Sequence, residues 1–192
     1  MEQLILGLAV FLGVHALQAL APAQRERLIN TYGPIPYKAA YSLLSLFGLI
    51  VLSGGYAIAR QEPITIWVPP VGLRHASSLL TLVAFILVVA AYVPRNAIQR
   101  KLKHPMVIGV KVWSLAHLLS NGGLHDLILF GGFLVWSVLV FRSARRRPDL
   151  QPAAERSNAM TILTVVIGVG AWAWFAFVGH AWIIGVAPMA GI

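Results

Sequence analysis

Six histidines and no cysteine set the chemical repertoire of this 192-residue chain. Disulfides, thiolate catalysis and iron–sulfur ligation are excluded, so any metal must be held by imidazole, carboxylate or thioether. His15 lies in an apolar run with Gln18 one turn further on, hence on the same face of a helix. His117 lies in a second apolar run, on a face it shares with Gly109, Trp113 and Ser120, with Ser114 in the same stretch. His75, His125 and His180 fall at the ends of other apolar runs, with Asp126 beside His125. Imidazoles and a carboxylate are legitimate zinc or iron ligands, although this spacing follows no metal-site pattern. His104 precedes Pro105, which predicts a helix start whose amides favour an anion. Lys111, on the His104 side, is long enough to snorkel to a headgroup layer.

These groups matter because of what must surround them. The chain is 58% hydrophobic and 11% charged, with a mean hydropathy of +0.78, whereas a soluble domain is roughly a quarter charged. Ionisable groups inside a membrane span are costly, and they mark functional sites by default. The expected architecture is all-α: a polytopic membrane bundle of about six transmembrane helices forming one domain over residues 1–192. The expected spans cover about residues 4–20, 36–59, 75–92, 105–121, 126–141 and 159–184. Pro94 closes the third, Gly122 and Gly123 end the fourth, and a polar linker from Arg142 to Asn158 precedes the sixth. Tyr37, Tyr41, Ser45, Gly48 and Leu52 recur at helical spacing in the second, an inward stripe suited to close packing. Trp172, Trp174 and Trp182 suit an interface belt.

A net charge of +9 raises the question of nucleic acid, but the cations sit in short segments beside spans rather than on a folded face. Anionic lipid and membrane orientation account for them. Arg25, Arg27 and Lys38 fall in the first connection, Arg95, Arg100, Lys101 and Lys103 in the third, and Arg142, Arg145, Arg146, Arg147 and Arg156 in the fifth, against Arg60 and Arg74 in the second. The positive-inside rule then places these three loops in the cytoplasm and both termini in the periplasm of a bacterial inner membrane. The first apolar run lacks a basic leader and a cleavage site, and is expected to be retained as a span.

His15 and His117 each lie about twelve residues into a span, roughly 18 Å at 1.5 Å per residue. From opposite sides, both approach the middle of a ~30 Å hydrocarbon core. Two imidazoles at that depth on different helices can hold a b-type haem by its two axial positions, or can each make an interhelical hydrogen bond. A covalent haem is excluded by the absence of cysteine.

The first-span His15, the segment GPIPYKAAYSLLSLFGL, the segment HPMVIGVKVWSLAHLLSNG and the closing GHAWIIGV together resemble the NnrU family. Bacterial members are named for an association with nitrate, nitrite and nitric-oxide metabolism, and plant and cyanobacterial relatives include 15-cis-zeta-carotene isomerase, a membrane b-haem enzyme. The resemblance implies that His15 and His117 correspond to that isomerase's axial histidines. Ser114 stands where the plant enzyme has a cysteine, so an exchange of thiolate for imidazole has no counterpart in this chain. The KHPMVIG segment also resembles the RHPxYxG motif of S-adenosylmethionine-dependent membrane methyltransferases, with Lys103 and Val107 departing from it and no acidic pair downstream.

The leading expectation is therefore an integral membrane haem-b protein with His15 and His117 as axial ligands and Trp113, Ser114, Gln18 and Tyr41 lining the cofactor. It would act as a haem-dependent isomerase or redox enzyme on a small or lipophilic substrate, linked to denitrification. The alternatives are a non-enzymatic haem or nitric-oxide sensor or assembly factor, a methyltransferase relative, and a haem-free scaffold.

Overall fold

In the computed structural model, residues 1–147 and 155–189 are described. In chain order the helices are α1 (Glu2–Leu20), α2 (Pro22–Tyr32), α3 (Pro34–Ala59), α4 (Val71–Ala90), α5 (Ala97–Leu102), α6 (Pro105–Ser120), α7 (Leu124–Arg145), α8 (Asn158–Trp174) and α9 (His180–Ile184). A π-helical turn, Phe175–Gly179, joins the last two. There is no strand among the described residues, only an isolated bridge between Thr65 and Gly123. Of the expected polar linker, residues 148–154 lie outside the described residues.

The chain is a multi-pass membrane protein. Five helical stretches are long and apolar enough to cross a bilayer: α1, α3, α4, α7 and the continuous run Asn158–Ile184. The sixth, α6, is apolar but has 16 residues, roughly 24 Å of helix against a ~30 Å core. His104 and Pro105 set its start, the Ile108 N–H donating to the His104 carbonyl at 3.2 Å, and the glycine pair follows its end. The third expected span begins earlier, at Val71, and stops at Ala90, ahead of Pro94. The fifth runs on to Arg145, because cations in a last turn complement the helix dipole. Two helices, α2 and α5, lie where the sequence suggests loops.

The helices group into two compact units, Met1–Val68 with Asn121–Arg147, and Pro69–Ser120 with Pro148–Ile192. In the first, α1 packs along α3 and against α7. A Cβ on Gly7 would lie 2.6 Å from the Leu52 Cα, on Gly48 2.8 Å from the Phe11 nitrogen, and on Gly55 2.7 Å from the Gln3 carbonyl carbon. All are backbone atoms, so α1 and α3 meet main chain to main chain, the packing that lipid favours in the absence of a hydrophobic drive between helices. Gly48 and Leu52 of the expected inward stripe are buried there. The segment after α3 is strapped to the start of α7: Ile66 and Trp67 donate to the Gly122 carbonyl at 2.8 and 3.2 Å, and Leu124 donates to that of Ile64 at 2.8 Å.

In the second unit α4 packs against α6 and α8. Gly109 brings α6 against Ala84 and Leu87, and Gly168 brings α8 against Ile86. Buried hydroxyls bond within their own helix, Ser77 to the Leu73 carbonyl and Thr164 to that of Met160, both at 2.7 Å, which satisfies them without a partner in lipid. Trp172 Nε1 reaches across to Thr81 Oγ1 at 3.1 Å. Asn96, only 1% exposed, donates to the Ala90 carbonyl at 2.9 Å and accepts from the Gln99 N–H at 2.7 Å, capping α5. Arg95 (φ 59°) and Lys103 (φ 62°) turn the backbone through the left-handed region at either end of α5.

Candidate functional site

In the first unit, His15 Nδ1 lies 2.7 Å from the carbonyl oxygen of Phe11, one turn earlier on α1. A carbonyl can only accept, so Nδ1 carries the proton and the lone pair is on Nε2. Three rings surround the imidazole: Phe11 with its centroid 4.3 Å away, Tyr41 of α3 at 5.4 Å, and Trp136 of α7 at 6.5 Å and nearly perpendicular. Phe133 of α7 backs Phe11 at 6.0 Å. The Trp136 indole N–H is buried with no hydrogen-bond partner among the described residues. Tyr41, one of the residues expected to line a cofactor, thus stands beside His15. The Gln18 side chain is exposed, and its backbone carbonyl accepts from the Arg147 guanidinium.

In the second unit, His117 repeats the arrangement. Its Nδ1 lies 2.9 Å from the Trp113 carbonyl, and the Trp113 ring is 4.9 Å away. The lone pair again falls on Nε2. Ser114 is fully buried and donates to the Val110 carbonyl at 2.8 Å, so its hydroxyl is engaged within the helix. Each histidine therefore follows an aromatic residue by four positions, and that residue fixes the tautomer through its carbonyl and flanks the ring with its side chain. Such a hydrogen bond on the far nitrogen is the usual partner of a metal-bound imidazole, because it orients the ring and raises its basicity. With α1 ending at Leu20 and α6 at Ser120, each imidazole sits about one to one and a half turns from its helix's C-terminal end. The expected spans, ending at about residues 20 and 121, place them at about the same distance from those ends.

The other histidines have different surroundings. His75 is exposed on α4, and His180 Nδ1 donates to the Val186 carbonyl at 2.7 Å. Among the described residues no three His, Asp or Glu side chains gather to hold a metal ion, so His75, His125, His180 and Asp126 do not assemble such a site. Asp126 works within the first unit. It accepts the Tyr56 hydroxyl at 2.6 Å and the Gly123 N–H at 3.0 Å, with His125 Nε2 at 3.5 Å. Three residues into α7, that carboxylate also faces the positive end of the helix dipole, which compensates its burial. The Arg60 guanidinium lies 5.7 Å from the Tyr56 ring centroid.

Phe11, Trp113 and their i−4 relation to the histidines are legible in the sequence as the repeated pattern aromatic-x-x-x-His. Trp136 and Tyr56 are not, since each reaches its partner from a distant helix.

The sequence matches the family model described as NnrU protein over residues 3–188, nearly the whole chain. No curated protein and no solved structure matches it.

Proposed function

Because this chain belongs to the NnrU family of membrane proteins, we propose that it is a multi-pass haem-b protein in which His15 and His117 would hold the iron. One observation carries the reading: two histidines on different spans share the same setting, each with Nδ1 committed to the carbonyl four residues back and an aromatic ring alongside. With Nδ1 protonated, the lone pair that either ring would offer to iron is that of Nε2, and neutral imidazole suits iron. Phe11, Tyr41 and Trp136 around His15, and Trp113 beside His117, would supply aromatic walls beside the two ligands. A bound haem would supply reversible one-electron chemistry, or a Lewis-acidic iron for a polyene or nitric oxide. The proposed activity is isomerisation or redox turnover of a small or lipophilic substrate in nitrogen-oxide metabolism.

Absorbance of the full chain purified in detergent from haem-replete cells tests this. A Soret band and a b-type pyridine haemochrome spectrum are expected, and a colourless protein would overturn the proposal. Nitric oxide added to the reduced protein separates the two uses. A shifted Soret band indicates an iron with an exchangeable position, as an isomerase or a sensor needs, and an unchanged six-coordinate spectrum favours electron transfer. The basic loops support an orientation with both termini outside the cytoplasm. A C-terminal alkaline phosphatase fusion should accordingly be active, and an inactive but expressed fusion would reverse the orientation.

A further inference from the structure

The end of the first unit where α1 passes into α2 gathers positive charge from three segments of the chain. Ser143 Oγ donates to the Ala19 carbonyl at 2.8 Å, and the Arg147 guanidinium donates to the carbonyl of Gln18. These bonds hold the last turns of α7 against the end of α1. They place Arg142, Arg145, Arg146 and Arg147 at the same end as Arg25 and Arg27 of α2 and Lys38 in the first turns of α3. The α1 carbonyls, whose partial negative charge would repel an anion, are covered by Ser143 and Arg147. Arg25 lies over the Tyr37 ring, 5.7 Å from its centroid. Arg27, Lys38, Arg142, Arg145 and Arg146 have no ion-pair partner among the described residues, and Glu26 is the one carboxylate on α2.

Apolar surface lies next to this charge. No residue of α2 is buried, and among the described helices it packs on the adjoining ends of α1 and α3. Leu20, Leu28, Tyr32 and Ile35 are 58, 39, 66 and 79% exposed. A short helix with cations and uncovered apolar side chains, tied between two spans, fits the headgroup layer of a bilayer. Free phosphate would use the charges and leave the apolar side chains in water. An anionic phospholipid uses both.

We propose that this end of the first unit is a binding site for the phosphodiester headgroup of an anionic phospholipid, with its acyl chains along Leu28, Tyr32 and Ile35. The site is independent of the haem reading, since the charged and apolar side chains that would bind the lipid are none of those assigned to the cofactor.

The full chain, reconstituted in vesicles of phosphatidylcholine containing a minor fraction of phosphatidylglycerol and then re-extracted, should retain phosphatidylglycerol in excess of its share, read by mass spectrometry of the bound lipid. The triple variant Arg27→Gln/Arg142→Gln/Arg145→Gln removes exposed, unpaired charges, and should lower that enrichment about tenfold or more, given roughly 1 kcal/mol for each basic residue near anionic lipid. The matched triple Arg74→Gln/Arg100→Gln/Lys101→Gln, in the second unit, should change it less than about twofold, with helix content equal in all three proteins by circular dichroism. Equal loss in both triples would reduce the effect to diffuse charge, and no enrichment in the wild type would remove the site altogether. If inorganic phosphate at matched concentration displaces the lipid, the site is one for phosphate and not for phospholipid.

Discussion

His15→Ala and His117→Ala, purified from haem-replete cells, should each lose the Soret band of the wild type, while His75→Ala and His104→Ala keep it. Removing only the hydrogen-bond partner of a ligating histidine costs roughly 10–100-fold in metal affinity, and removing the ligand itself should cost more. His75 is an exposed side chain on α4 and His104 flanks the start of α6, so neither substitution touches the aromatic settings of His15 and His117. Unfolding would also remove colour. His15→Gly and His117→Gly keep a cavity of imidazole size, and free imidazole added during reconstitution should restore the band in both. A band at full intensity in either alanine variant would show that the missing residue is not a ligand. Failure of imidazole to rescue a glycine variant that retains its helix content would point the same way.

The second large effect is on stability. Gly7→Ala places a methyl group 2.6 Å from the Leu52 Cα and 2.8 Å from the Val51 carbonyl carbon. Backbone atoms cannot rotate aside as side chains do, so α1 and α3 must separate along their length. Overpacking of a well-filled core costs about 1–3 kcal/mol, and a clash against main chain belongs at or above the top of that range. Gly55→Ala, 2.7 Å from the Gln3 carbonyl carbon, should behave alike. Gly13 and Gly54 lie on the same two helices, and an added methyl group would meet nothing within 4 Å at either. There alanine should be neutral or stabilise by about 0.5–1 kcal/mol through helix propensity. Thermal or denaturant unfolding in detergent, followed by circular dichroism, reads both signs. If Gly7→Ala and Gly13→Ala unfold at the same midpoint, the close approach of α1 and α3 is wrong.

The contrast between those glycines explains what the sequence reveals and what it hides. Gly48 and Leu52 recur at helical spacing, and one helix's own period places them on one face. Which face of α1 they meet depends on Gly7, far earlier in the chain, and no period links the two helices. The spans themselves are legible because lipid allows few alternatives to an apolar helix of sufficient length. Helix α2 looks like a loop because its residues are polar, although Pro22 at its first turn and Gly33 (φ 87°) after its last mark a start and a stop. The same limit holds at the candidate site. Tyr41 falls beside His15 from another helix, and Phe11 can be found four residues upstream. Gln18 shares the spacing of a neighbour yet is turned outward where α7 closes on the end of α1. In the sequence Asp126 is one of four residues, with His75, His125 and His180, that could converge on a metal although their spacing follows no metal-site pattern. Its actual partners, Tyr56 and the Gly123 amide, make it the anchor of a helix start, a role that only the packing of α3 against α7 discloses.

The brevity of α6 has a physical consequence for the surrounding bilayer. Its 16 residues fall short of a typical hydrocarbon thickness by roughly 6 Å, and Met106 and Leu115 on its surface are 37 and 43% exposed. Such a hydrophobic mismatch is relieved when the adjacent leaflets thin, at a cost of fractions of a kcal/mol for each ångström, or when flanking cations such as Lys101 and Lys103 extend to the headgroups. The cost falls as lipid acyl chains shorten. Membrane thickness thus acts as a mechanical load on one particular helix, and that helix is the one that carries His117.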